Sequence, residues 1–185
     1  MLFFVSGNKQ KFLEIKRILA EYGIELKWHK AELSEDCNGS IDEIARHKAA
    51  EAYSLIEKPL IVEDTGIFFE GYHDFPGVRA KRIFEKIGYE GLLKMASKKS
   101  GKAYFKTAIC FTDGTRKKVF VGLLKGRISQ KVYCKNRKVM PYERIFVPVK
   151  SKKPLCMMLR KEKNKISHRA RAAEKLAVWL KAKYL

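Results

Sequence analysis

The sequence predicts an α/β fold in which a mixed, twisted β-sheet is flanked by helices and two lobes leave a central cleft. Three observations predict it. Strand and helix signals alternate through the first half, strand signals dominate after that, and 185 residues of 46% hydrophobic composition bury one real core. A single domain covering residues 1–185 is expected, since no repeat or low-complexity linker interrupts the chain.

The elements follow in order. MLFFVS reads as a buried strand, Asn8 as a helix N-cap, and Phe12, Ile15, Ile18, Leu19 and Tyr22 as the apolar stripe of a first helix. IELKWH is a second strand. After a polar loop, Ser40 to Glu43 forms a capping box for a helix that runs to about Glu57 and is stopped by Pro59. Leu60 to Glu63 is a strand that ends on two carboxylates, and Pro76-Gly77 closes a loop. Two short helices are expected near Val78–Ile87 and Tyr89–Ser97. AYFKTAICFTD and RKKVFVGLLKGRI, separated by Asp113-Gly114, carry the composition of a hairpin. Residues 129–160 carry no assignable pattern. Ile166, Ala170, Ala173, Leu176 and Leu180 recur at helical spacing and close the chain with an amphipathic helix.

The charge is lopsided. The net charge is +20, and residues 96–185 hold 26 basic and 4 acidic side chains against 14 and 16 in residues 1–95. A basic half beside a carboxylate-bearing half suits a polyanion held through a metal ion, and equally a nucleic acid or a solubilising lysine-rich surface. Cys37, Cys110, Cys134 and Cys156 are far apart and lack a paired spacing, so neither a zinc site nor a disulfide framework is indicated. The apolar opening Leu2 to Val5 is too short for a signal segment and no later run reaches membrane-spanning length, so a cytoplasmic protein is expected.

Two places suit phosphate chemistry. The strand-turn-helix through Ser6-Gly7-Asn8 aims backbone N–H groups and a positive helix end at one point, with Lys11 a turn further in. Glu63-Asp64-Thr65-Gly66 sets two carboxylates beside an apolar strand, where they need a pairing cation. Strand alternation sends them to opposite faces, so only one is expected to enter a given site. Asp36, in the loop before the second helix, is a further candidate ligand for Mg²⁺.

Taken together, the motifs resemble the inosine triphosphate pyrophosphatase family. The resemblance rests on Ser6, Asn8, Lys11 and Glu14, on Val62-Glu63-Asp64-Thr65-Gly66, on Phe75-Pro76-Gly77, and on Glu162-Lys163-Asn164 with Ser167-His168-Arg169. It implies Mg²⁺-dependent hydrolysis of ITP, dITP and XTP to a nucleoside monophosphate and pyrophosphate, in a homodimer. It implies Asn8, Lys11, Lys48 and Lys81 at the phosphates, with Ser6 among the substrate-binding residues. Lys163, Ser167, His168 and Arg169 then bind the rest of the substrate, with His168 and Arg169 at the purine. Asp36 and Asp64 are implied as metal ligands, and Asp64 with Lys11 as the catalytic pair. The pattern departs at Met140, where an aromatic is usual, at Glu143, where Asp is usual, and at Met157, where Glu is usual. These departures fall on the base-recognition side. The alternative is a nucleic-acid-binding protein on a decayed fold of this kind.

Overall fold

The computed structural model describes residues 1–34, 39–73 and 75–184. Its strands are β1 (Leu2–Val5), β2 (Leu26–His29), β3 (Leu60–Phe69), β4 (Pro76–Gly77), β5 (Lys102–Thr112), β6 (Lys117–Ile128) and β7 (Phe146–Pro148). Its α-helices are α1 (Lys9–Ala20), α2 (Ile41–Ile56), α3 (Ala80–Ser97), α4 (Arg160–Ile166) and α5 (His168–Tyr184). The strands form a seven-stranded mixed sheet in the order β2-β1-β3-β5-β6-β7, with β4 paired to β3. β1 runs parallel to both β2 and β3, whereas β3/β4 and β6/β7 are antiparallel. The mixed sheet and flanking helices agree with the sequence reading.

The chain divides into two compact units. The first comprises residues 1–65, 107–123 and 166–185, and the second comprises 66–106 and 124–165. In the first, the expected stripe of α1 is buried: Phe12, Ile15, Ile18 and Leu19 are at most 7% exposed. They join Phe4, Ile61, Ile109, Phe111 and the inner face of α5 in one apolar cluster. That face is built from Ala170, Ala172, Ala173, Leu176, Ala177 and Leu180. Its alanines are matched by Gly122 of β6, where a Cβ would fall 1.9 Å from the His168 carbonyl oxygen. Only glycine allows β6 to come that close, and the approach fixes where α5 begins.

The second unit has its own packing. Phe105 meets Phe146 with ring centroids 4.7 Å apart, and the phenol of Tyr142 donates to the carbonyl of Ala80 at 2.8 Å. The two helices expected over Val78–Ser97 appear as α3 with a break at Gly88 (φ 58°, ψ −163°), a conformation open to glycine alone.

Three expectations need correction. β3 does not end at the carboxylates but continues to Phe69, because Ile67 and Phe69 keep the buried alternation and Gly66 admits a close backbone neighbour. A Cβ there would lie 2.7 Å from the Gly77 carbonyl oxygen of the adjoining β4. The second strand begins at Leu26 rather than Ile24, because Ile24 closes the end of α1 by donating to the Leu19 carbonyl at 3.0 Å. The closing segment is two helices, α4 and α5, parted at Ser167. The Ser167 hydroxyl accepts from the Ala170 amide at 3.1 Å and restarts the helix.

Candidate active site

The first unit brings four chain segments onto the carboxylates of β3. The turn from β1 into α1 is tied by the Asn8 amide donating to Ser6 Oγ at 3.1 Å. Asn8 Oδ1 accepts from the amides of Gln10 at 3.0 Å and Lys11 at 3.1 Å. Trp28 of β2 donates its indole N–H to the Ser6 carbonyl at 2.8 Å, which fixes the end of β1. The Glu32 side chain lies against Gly7 so closely that a Cβ there would sit 2.0 Å from its Oε1. An acidic oxygen thus already lies beside the strand-to-helix turn that the sequence marks as an anion seat.

Glu63 and Asp64 point to opposite sides of β3, as the alternation requires, and their surroundings differ. The Glu63 side chain is fully buried between cations: Lys11 Nζ lies 2.6 Å from Oε2, and Arg169 Nη2 and Nε lie 3.1 and 3.2 Å from Oε1. Burial works to raise the carboxyl's pKa. Arg169 and Lys11 outweigh it and hold Glu63 far below the usual range, so it is a permanent anion. Arg169, 2% exposed, is held on its other side by Glu14 of α1, whose Oε2 is 2.6 Å from Nη1. Two carboxylates therefore seat one guanidinium.

Asp64 has one cationic contact of that kind, Lys48 of α2, whose Nζ lies 2.6 Å from Oδ1. Burial here outweighs the pull of Lys48 and Lys11, and the neighbouring Glu63 charge adds to it, so the Asp64 pKa is raised above the ordinary aspartate value. A carboxylate with heightened proton affinity beside a lysine is equipped to accept a proton or to meet an incoming cation.

A hydroxyl pair completes the cluster. Thr65 donates to Glu63 Oε1 and touches Thr107 Oγ1, while Thr107 Oγ1 lies 2.6 Å from His168 Nδ1 and 3.3 Å from Glu63 Oε1. Thr107 and His168 are both buried.

Ser6, Asn8, Lys11, Lys48, Asp64, Ser167, His168 and Arg169 all belong to the first unit. Within it, Lys11, His168 and Arg169 converge on Glu63, directly or through Thr107, while Lys48 meets Asp64, which also feels the Lys11 charge. Lys81 and Lys163 belong to the second unit. Lys81 is exposed near the start of α3, and Lys163 is buried on α4 with its Nζ 2.5 Å from Glu143 Oε1. The Glu found at 143 in place of Asp is thus the counterion of a buried lysine. Asp36 lies outside the described residues.

Glu32 and Thr107 were not singled out from sequence, and Glu14 and Thr65 stood only in the matching motifs, with no role at the site. Glu14 follows Lys11 by three positions and so shares its face of α1, a spacing that could have flagged it. Thr107, a lone hydroxyl on the buried face of an apolar strand, offered the fainter signal of a polar group needing a partner. Among the described residues no group of three or more His, Cys, Asp or Glu is placed to hold a metal ion. Asp64 is compatible with a divalent cation of the kind that takes one or two carboxylates and completes its shell with phosphate and water oxygens. Of the neighbouring carboxylates Glu63 and Asp64, Glu63 is held by a guanidinium and Asp64 by the ammonium of Lys48.

Comparison with known proteins agrees across nearly the whole chain. A model of the Ham1 family matches residues 2–179. The dITP/XTP pyrophosphatase of Saccharolobus solfataricus is 37% identical over 179 residues, covering 96% of this chain and 92% of that protein. The inosine triphosphate pyrophosphatase of Yarrowia lipolytica is 36% identical over 183 residues, covering 97% and 95%. In three dimensions the chain resembles a HAM1 protein from Coxiella burnetii with a TM-score of 0.80 at 23% identity, over 98% of this chain and all of the other.

Proposed function

This chain belongs to the Ham1 family, and from that premise we propose that it hydrolyses ITP, dITP and XTP to the nucleoside monophosphate and pyrophosphate, clearing deaminated purines from the nucleotide pool. The observation that carries the reading is the pair Glu63 and Asp64: one carboxylate is locked as an anion by two cations, and its neighbour is held at a raised pKa beside Lys48.

Mechanistically, Asp64 is the residue assigned to the attacking water. Lys48 occupies Oδ1, and Oδ2 is the oxygen we assign to the proton released as that water meets the α-phosphorus. Lys11 has three ammonium protons, and its contact with Glu63 leaves it a donor toward phosphate oxygen at the mouth of the β1–α1 turn. Lys48 offsets charge that develops on the same side. Ser6 and Asn8 shape the turn that receives the phosphates. Asp64, with Asp36 as the resemblance implies, would hold Mg²⁺, which when bound neutralises phosphate charge and acidifies water.

His168 and Arg169 are assigned to the purine. Arg169 is aligned by Glu14 and Glu63, so its orientation is set before substrate arrives. Polar groups placed to meet a 6-oxopurine lose their partners against adenine, which is the basis of discrimination. For Lys81 and Lys163 the family resemblance alone speaks. A homodimer in the cytoplasm is the state the resemblance implies, and no described helix is long and apolar enough to cross a membrane.

A second reading has one observation in its favour. The second unit holds 23 basic and 6 acidic residues, a density that suits nucleic acid. It requires binding that falls steeply with salt in a protein that releases no pyrophosphate. The deciding experiment is a pyrophosphate-release assay over ATP, GTP, CTP, UTP, dTTP, ITP, dITP and XTP with and without Mg²⁺. Preferential, Mg²⁺-dependent release from ITP, dITP and XTP is expected, and no release from any of them refutes the proposal.

A further inference from the structure

The hydroxyl pair between Glu63 and His168 carries a directional consequence. Four contacts share very few protons: Thr65 to Glu63 Oε1, Thr65 to Thr107, Thr107 to Glu63 Oε1 at 3.3 Å, and Thr107 to His168 Nδ1 at 2.6 Å. Each hydroxyl supplies one proton. Glu63, with Lys11 Nζ 2.6 Å from Oε2 and Arg169 Nη2 3.1 Å from Oε1, meets donors on both oxygens and acts as an acceptor.

If Thr107 gave its proton to His168 Nδ1, the Thr65 proton would have to serve both Glu63 and Thr107. One of those two close contacts would be left as facing lone pairs in a buried site, which is costly. If Thr65 gave its proton to Thr107 instead, its own close contact with Glu63 Oε1 would be left without a proton. One arrangement satisfies every close contact. The Thr65 proton goes to Glu63, the Thr107 proton goes to Thr65 with the 3.3 Å line to Glu63 as its longer branch, and His168 donates Nδ1–H to Thr107.

We propose that Thr107 is a positioning residue that fixes His168 with its proton on Nδ1, so that in the neutral imidazole Nε2 carries the acceptor lone pair. Thr107 acts here through His168 and not on substrate. The His168 backbone at the start of α5 lies close against β6, where only glycine at 122 leaves room for its carbonyl.

The consequence for substrate choice rests on the proposed seat of His168 at the purine. An Nε2 lone pair accepts from the N1–H that every 6-oxopurine carries and opposes the lone pair on N1 of adenine. Selection of 6-oxopurines then comes from an acceptor on His168 as well as from donors on Arg169.

The experiment uses the full chain, ¹⁵N-labelled at histidine, with long-range ¹H–¹⁵N spectra at alkaline pH, where imidazole is neutral. Wild type and Thr107→Ser should show a protonated-type shift at His168 Nδ1 and an unprotonated-type shift at Nε2. Thr107→Val, near-isosteric without the hydroxyl, should lose that bias. A wild-type spectrum with the proton on Nε2, or a Thr107→Val spectrum that keeps it on Nδ1, overturns the proposal. The wild-type spectrum decides even if Thr107→Val does not fold. In parallel, the ITP-to-ATP ratio of kcat/KM should fall about tenfold in Thr107→Val, the effect of one lost hydrogen bond, and recover in Thr107→Ser. A changed tautomer with an unchanged ratio would uphold the role of Thr107 and refute the seat of His168 at the base.

Discussion

The two faces of β3 make a controlled comparison, because Glu63 and Asp64 are adjacent carboxylates on one strand, both buried, with opposite pKa shifts. Desolvation is the largest influence on each. What separates them is the number and kind of cations: Glu63 has a guanidinium, an ammonium and a threonine donor, whereas Asp64 has Lys48 at hydrogen-bond distance and a like charge next to it. A carboxylate so fully compensated holds parts together, and one compensated less completely keeps the proton affinity that chemistry needs.

Neutralising each in turn should separate the two roles. Asp64→Asn is expected to lower kcat by about two to four orders of magnitude, with no comparable loss of stability, since burial already disfavours the charged form of Asp64 and Lys48 keeps part of its side chain in water. Near wild-type turnover in this variant would break the comparison at its catalytic end. Glu63→Gln should behave in the opposite sense. It removes one of the two carboxylates that hold the buried Arg169 and should cost about 3 to 5 kcal/mol in urea unfolding, and an unchanged midpoint would show that the cage is not structural.

The pH dependence of stability sharpens the contrast. The folded-state pKa of Glu63 is depressed, so its contribution is fully present above the ordinary glutamate value and is lost as pH falls below it toward the folded value. The gap in unfolding free energy between wild type and Glu63→Gln should therefore be constant near neutrality and shrink only in acid. Asp64, with a raised folded-state pKa, binds its proton more tightly when folded, so lowering the pH through that raised value favours the fold. The smallest effect is expected at Lys11, which touches both roles. Lys11→Ala should raise KM for every triphosphate by about tenfold while leaving their ratios unchanged, and a base-dependent effect would move Lys11 away from the phosphates.

Much of this was readable in the sequence. The Asn8 cap, the stripe from Phe12 to Leu19 and the Ser40–Glu43 capping box are local, and each appears with its expected bonds. The opposite facing of Glu63 and Asp64 follows from strand periodicity alone. Non-local features were out of reach. Nothing in the spacing of Glu14 and Arg169, 155 positions apart, announces a 2.6 Å pair, and no pattern joins Thr107 to His168. The continuation of β3 beyond Asp64 was hidden because carboxylates read as a strand end until their cations are known. The segment from Ser129 to Arg160 stayed opaque because it is mostly irregular, and its regular pieces, two short 3-10 turns (Pro141–Arg144 and Leu155–Met157) and one three-residue strand, are too short for any periodicity.

The central claim is that water attacks the α-phosphorus with Asp64 taking its proton. Hydrolysis of ITP in ¹⁸O-labelled water, followed by mass spectrometry of both products, tests it most directly. One labelled oxygen in the nucleoside monophosphate and none in the pyrophosphate is the predicted result. Label in the pyrophosphate, or release of orthophosphate with ITP cut at its terminal bond, would contradict it.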